Sequence, residues 1–281
     1  MSSKRPLVPL TISGSDPSGG AGLQADLKVF MRFGLSGAAV PTALTVQGPS
    51  GVKSINPLDA KSVKKQLDAL FTDLRPAAVK VGMLPSGELV RAVARALIPL
   101  ARKGIPIVVD PILQASSGAR VLPRDDVPVL LRQLLPMATL ITPNVTEAAE
   151  LADTTVARVR RDTQDVIQEL LRLGPQAVLV KGGHLSGDDS VDILGTKEAV
   201  VMFSLPRVPR RRSVHGTGCA FASAITALLA RKVPLEDAVE AAKHYVSDAI
   251  AGARYVGRGS RLLDLTVPLD DDVAKLAGSE G

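Results

Sequence analysis

In 281 residues there are one cysteine, three histidines, two tyrosines, five phenylalanines and no tryptophan. A single thiol excludes an intramolecular disulfide, and Cys219 together with His184, His215 and His244 offers no zinc-type ligand spacing. This usage fits a reducing cytoplasm. The shortage of aromatics bears on partners. Stacking platforms for single strands, and the aromatic signatures of RNA-binding modules, have little to be built from. The net charge is +6 and RVPRRR (207–212) is a dense basic run, yet it reads as a solvated or anion-contacting loop, and no nucleic-acid partner is expected. Long apolar spans are missing as well. Of two charge-free windows, 33–52 is broken by Pro41, Pro49 and four glycines, and 213–230 opens with His215 and two glycines. Neither crosses a bilayer. Lys4 and Arg5 precede the apolar PLVPL, but Gly14, Ser15, Asp16 and Pro17 arrive too soon for a signal-peptide core, so an untargeted cytoplasmic protein is expected.

What the chain does contain is alternation. Short β-rich apolar runs (LVPLTIS, AAVPTALTV, AAVKVGML, IPIVVDPI, ATLITPN, AVLVKGG) are separated by amphipathic segments such as AKSVKKQLDALFTDL, SGELVRAVARALIPLARKG and TQDVIQELLRLG. Strands without a polar face imply a mainly parallel sheet covered by helices on both sides, an α/β three-layer architecture. VDILG and AVVMFSLPRVP read as a hairpin-like pair, followed by two helices over 219–231 and 235–253. No repeat, low-complexity tract or linker interrupts this order. A single domain over 1–281 is therefore expected, with its core over about 6–254 and a closing segment and tail over 255–281.

Several motifs could carry chemistry. GSDPSGGAG follows a strand and precedes a helix, and Gly20 to Ala25 even satisfies a dinucleotide fingerprint, but no acidic residue lies between Asp26 and Asp59 to hold a ribose. A P-loop is excluded, since no Gly-Lys-Ser/Thr ends this turn. In parallel sheets ligands bind beyond the carboxyl ends of strands, which makes a shortlist of Asp16, Asp26, Gln47, Asp110, Asn144, Glu147 and Lys181. Singly, each suits a cap or turn; together, acids, amides and a lysine at successive strand ends suit Mg²⁺ and phosphate. Gly216, Thr217 and Gly218, entering an apolar helix, offer several backbone N–H groups to one anion. Cys219 stands at that helix start. A lone cysteine is usually a small buried hydrophobe, but a helix N-terminus also favours a thiolate, and must lower the thiol pKa if Cys219 is to act as a base.

With these residues in place the chain resembles the ribokinase-like superfamily, and within it the hydroxymethylpyrimidine/phosphomethylpyrimidine kinases. The resemblance rests on TISGSDPSGGAGLQADLKVF, PTALTVQ, KVGML, VVDPI, TPNVTEAAEL, VLVKGGH and HGTGCAFASAITALLA, in family order from about residue 11 to about residue 250. It implies a three-layer ribokinase-like fold, and phosphorylation by ATP and Mg²⁺ of the hydroxymethyl group of 4-amino-5-hydroxymethyl-2-methylpyrimidine, then of the monophosphate, in thiamine biosynthesis. It implies further that Gln47 reads the pyrimidine edge, and that Gly14, Asp26 and Met83 line the ring pocket. Asp110, Asn144 and Glu147 would form the phosphate region and hold the metal mainly through water, with Lys181 on the nucleotide phosphates. Gly216, Thr217 and Gly218 would form the anion hole, Cys219 would take the catalytic position, and a homodimer would form.

Three departures stand out: Gly48, Pro49 and Ser50 follow Gln47 where the family commonly has Asn-Thr, Ala119 stands where an acidic residue is common, and 207–212 is unusually basic. A pyridoxal kinase on the same scaffold remains open, because both substrates are flat heteroaromatic rings bearing a hydroxymethyl group. So does a non-catalytic ligand-binding regulator, although the intact Asp110, Asn144, Glu147, Lys181 and Gly-Thr-Gly-Cys set weighs against it.

Overall fold

The structure is a computed structural model, and it describes residues 6–115, 118–182, 188–209 and 214–278. In chain order the first half runs β1 (Pro9–Ser15), α1 (Gly22–Arg32), β2 (Ala38–Gly48), β3 (Gly51–Pro57), α2 (Ala60–Asp73), β4 (Ala78–Val81), α3 (Gly87–Ala101) and β5 (Ile107–Val109). The second half runs α4 (Val127–Gln133), β6 (Leu140–Ile141), α5 (Val145–Leu151), α6 (Val156–Arg161), α7 (Thr163–Leu171), β7 (Val178–Lys181), β8 (Asp189–Gly195), β9 (Val200–Pro206), β10 (Val214–His215), α8 (Thr217–Ala230), α9 (Leu235–Ala251), β11 (Arg261–Leu262) and α10 (Asp271–Leu276).

One sheet carries nine of these strands in the order β3-β2-β1-β4-β5-β6-β7-β8-β9. From β2 through β7 every neighbouring pair is parallel, while β3 at one edge and β8 and β9 at the other are antiparallel. The expected mainly parallel sheet is thus present. β3 went unread in the sequence because GVKSINP has neither an apolar run nor alternation; an edge strand solvated on both faces needs neither.

Pleating divides the core in two. Ala78, Val108, Leu140 and Leu179 face α1, α8 and α9, whereas Val79, Val81, Ile107, Val109, Ile141 and Val178 face the helices from α2 to α7. β4 is buried at all four positions, which is why it reads as a continuous apolar run interrupted only by Lys80. α8 is enclosed on every side from Ala220 to Ala230, and its alanine-rich composition lets the sheet, α1 and α9 approach it closely. Side-chain caps set other helix starts: Asp59 accepts from Ser62 N, Ser86 from Leu89 N, and Asn144 with Glu147 closes a capping box on α5. Two short elements follow Tyr255. Of these, β11 pairs in parallel with β10, directly before α8, and α10 packs on α9. No helix among the described residues is long and apolar enough to cross a membrane.

Candidate active site

Because β1, β2, β4, β5, β6 and β7 run parallel, their carboxyl ends lie along one edge of the sheet, and the residues that follow them converge. Asp110 follows β5 and is 2% exposed. Its Oδ1 accepts hydrogen bonds from Lys181 Nζ (2.6 Å), at the end of β7, and from Thr142 Oγ1 (3.0 Å), just after β6. Burial works against this carboxylate, but Lys181 and then Lys80 hold it below the usual range. Lys181 is likewise opposed by burial and held above the usual lysine range by Asp110 and Glu147. Glu147 differs. Burial pushes its carboxyl up to about 7; Lys181 opposes the rise and Asp110 adds to it. Glu147 Oε2 accepts from Asn144 N (2.8 Å), and a bridge between Asn144 and Lys181 extends the ladder beyond β6 and β7. Asp110, Asn144, Glu147 and Lys181 therefore form one connected group.

The glycine turn entering α8 comes down on this group. Gly216 has φ +88, and a Cβ there would lie 1.8 Å from Gly20 O, so only glycine allows the turn to press against the loop after β1. A Cβ on Gly218 would lie 3.1 Å from Lys181 Nζ and 4.0 Å from Asp110 Oδ2, which sets the ion pair directly on the turn. α8 begins at Thr217, two residues before the start read from sequence, since the left-handed Gly216 already serves as its N-cap. The first-turn N–H groups of α8 have no intrahelical partner, and Gly218 sets that turn beside a lysine and a carboxylate that are held together.

Cys219 keeps a partial opening to solvent in that first turn. The helix start does not lower its thiol, as a base ready at neutral pH would need: burial pushes it up to about 11. Lys80 and a hydrogen bond from the Gly22 backbone pull down, and Asp110 and Asp26 push further up. One buried ammonium and a helix terminus do not offset the loss of water with two carboxylates nearby.

The ring-side residues divide. Gly14 and Met83 meet, because a Cβ on Gly14 would lie 2.6 Å from Met83 Sδ. Gln47, near the end of β2, has its amide nitrogen 2.8 Å from His215 Nε2, and that ring nitrogen is also 3.0 Å from Asp16 Oδ2. Asp26 meets no open face. Although read as lining the pocket, it is 0% exposed: Oδ2 accepts from Thr11 Oγ1 (2.6 Å), and Oδ1 accepts from Lys80 Nζ (2.6 Å) and Ser223 Oγ (2.7 Å). It acts on the site from beneath, through Lys80 and Cys219.

Sequence reasoning gave no role to Lys80, His215, Thr142 or Ser223. Lys80 did carry a signal, since a lysine inside a fully buried strand must have an acidic partner. The hydroxyls did not, because only the fold shows that they face carboxylates. Of the basic run, 210–212 lies outside the described residues, as does His184; Arg207 donates through Nη2 to Asp189 O.

For a divalent cation, Asp110 and Glu147 supply hard oxygen ligands close together, while among the described residues no three metal-ligating side chains converge. That set fits a metal held largely through water and the phosphates of a nucleotide.

A mainly parallel sheet, acids and a lysine at adjoining strand ends, and a glycine turn opening a buried helix define a small-molecule kinase on a ribokinase-like scaffold. Comparison with known proteins narrows this. The phosphomethylpyrimidine kinase model matches residues 16–264, and the chain belongs to that family. It is 42% identical over 246 residues to a hydroxymethylpyrimidine/phosphomethylpyrimidine kinase of Rhizobium meliloti, covering 88% of this chain and 91% of the relative. Among solved structures, the phosphomethylpyrimidine kinase of Clostridium difficile is similar at 39% identity and a TM-score of 0.74, covering 87% of this chain and 99% of the other. The pyridoxal kinase of Staphylococcus aureus in complex with ADP is similar at 29% identity and a TM-score of 0.84, covering 94% of each chain.

Proposed function

We propose that the protein transfers the γ-phosphoryl group of ATP to the hydroxymethyl group of 4-amino-5-hydroxymethyl-2-methylpyrimidine, and then to the resulting monophosphate. One juxtaposition carries the chemistry: the Lys181–Asp110 pair seated on Gly218 at the amino end of α8. Phosphoryl transfer depends chiefly on positioning and on neutralising charge, and a lysine beside unpaired N–H groups supplies both. In this reading Lys181 holds the nucleotide phosphates, and the Gly216–Cys219 turn receives charge developing on the transferred group. The thiolate form of Cys219 orients the substrate hydroxyl and takes up its proton late, becoming the thiol, because a loose transition state asks little of a base beforehand. Asp110 and Glu147 would hold Mg²⁺ through water, and the ion would neutralise phosphate charge. A cation there also makes the cost of ionising Glu147 smaller.

The choice of ring rests on similarity: identity is higher to pyrimidine kinases than to the pyridoxal kinase, and Gln47 supplies an amide at the pocket edge. A pyridoxal kinase is the second reading, favoured by the higher TM-score. ATP consumption should be measured with the hydroxymethylpyrimidine, its monophosphate and pyridoxal, with product mass for each. Turnover of the first two, in sequence, is expected. Turnover of pyridoxal alone would replace this reading with the second, and no turnover of any would leave a binding protein.

A further inference from the structure

We propose that His215, anchored by Asp16, locks the Gln47 amide with its oxygen toward the imidazole and its N–H₂ toward the pocket, selecting rings that pair an acceptor nitrogen with an adjacent exocyclic amine. The inference rests on the pyrimidine reading and deepens it.

His215 Nε2 has two neighbours, Asp16 Oδ2 at 3.0 Å and the Gln47 amide at 2.8 Å, and it can carry only one hydrogen. Asp16 decides where that hydrogen is. Its Oδ1 accepts from Ser18 N (2.9 Å) and Ser18 Oγ (2.7 Å), and its Oδ2 accepts from Ala21 N (2.9 Å). A carboxyl group taking two backbone N–H groups and a hydroxyl is an ionised acceptor. Burial opposes this, but His215 and Ser18 hold Asp16 below the usual carboxylate range. Nε2 therefore carries a hydrogen, since a bare nitrogen facing an ionised oxygen would be repelled. With the Gln47 nitrogen also turned inward, two N–H groups would confront one another at 2.8 Å. The two ends of a side-chain amide are alike in shape, so the partner fixes the assignment: Oε1 faces His215 and Nε2 faces outward.

The imidazole cannot swing away to relax this constraint. β10 pairs His215 with Leu262 of β11, and Gly216 behind it is held in the left-handed region. In front, a Cβ on Gly20 would lie 3.0 Å from His215 Cδ2 and 2.7 Å from Leu262 Cδ2, so the loop after β1 closes the remaining side. Gln47 is itself set by a register shift between Val46 and Gln47 in the β2–β3 ladder. In the locked orientation Nε2 donates to a ring nitrogen, and the second lone pair of Oε1 accepts from an exocyclic amine. A 4-oxopyrimidine presents the reverse pattern, a ring N–H beside a carbonyl oxygen, and meets donor against donor and acceptor against acceptor.

Two measurements test this. The first is kcat/KM for the 4-amino substrate and its 4-oxo analogue in wild type, His215→Phe and His215→Gln. His215→Phe removes the N–H and frees the amide to turn, so the amino-to-oxo preference should fall at least tenfold, mainly through KM of the amino substrate, with KM for ATP unchanged. His215→Gln keeps N–H groups for both neighbours and should retain the preference. An undiminished preference in a His215→Phe protein with normal KM for ATP would overturn the proposal. The second measurement needs no variant: nitrogen-15 NMR of the wild-type imidazole should show a hydrogen on Nε2 at neutral pH, and a bare Nε2 would overturn the proposal even if His215→Phe failed to fold. Failure of the pyrimidine reading looks different, because wild type would then turn over neither ring.

Discussion

Cys219 combines a helix-start position, which favours a thiolate, with surroundings that penalise one. Its thiol lies at about 11, so at neutral pH about one molecule in ten thousand carries the thiolate. The thiolate share grows about tenfold for each pH unit below that value. The kcat of wild type should therefore climb from pH 7 toward pH 10, and the climb should be missing in Cys219→Ala. At neutral pH the alanine variant should lose roughly 10²-fold or more in kcat while binding nucleotide normally. Cys219→Asp, ionised throughout this range, should recover part of the rate and flatten the profile. The check is kcat against pH for all three, with circular dichroism confirming the fold. An alanine variant as fast as wild type at every pH would make Cys219 a packing residue.

The glycine turn at the start of α8 is placed by backbone geometry, and Gly216 is where that geometry is decided. A side chain there would strike Gly20 O and adopt φ +88, a conformation that costs any residue with a Cβ. Gly216→Ala should destabilise the protein by more than about 1 kcal/mol and move the turn away from Lys181, lowering kcat/KM for both substrates. Gly48 is the control. A Cβ there meets nothing within 4 Å, so Gly48→Ala should change denaturation midpoint and kinetics little. Equal losses in the two variants would remove the special role given to Gly216. The capping box of α5 works on the same principle, since Asn144 and Glu147 build a helix end from the same residues that lie beside Lys181 and Asp110.

Ion pairs tie the helices of one layer to the sheet, and two of them are buried on the side covered by α1, α8 and α9. Lys80 of β4 meets Asp26 of α1, which also takes Ser223 of α8; Lys243 of α9 meets Asp192 of β8 at 2.5 Å. Asp192 Oδ1 also accepts from Gly182 N (2.8 Å), so α9 helps hold the strand end that carries Lys181. Lys243→Met should leave that carboxylate buried and unpaired, costing about 3–5 kcal/mol, and adding Asp192→Asn should restore much of the loss. Chemical denaturation of the single and double variants checks this. A double variant no more stable than the single would mean that the pair is not the source.

Fold class was legible in local pattern, and so was the grouping of several candidate site residues. Apolar runs without a polar face imply a covered parallel sheet, and such a sheet sends its strand ends to one edge, so Asp110, Asn144, Glu147 and Lys181 could be grouped while far apart in the chain. Gly216 to Gly218 were legible for a similar reason, as a glycine turn before an apolar run has few other structural meanings. Only tertiary structure decided what each side chain faces. Asp26 looked like a pocket residue until the sheet, α1 and α8 enclosed it with Lys80. The helix start that favours a thiolate at Cys219 is a local feature, whereas the burial that raises its thiol comes from the whole assembly. His215 and Asp16 are 199 residues apart, and no spacing rule joins them; the parallel pairing of β10 with β11 and the close approach of Gly20 do so. Backbone preference and hydrophobic period act over a few residues and can be read in order. Desolvation and charge pairing depend on distance in space, and they are settled when the layers close.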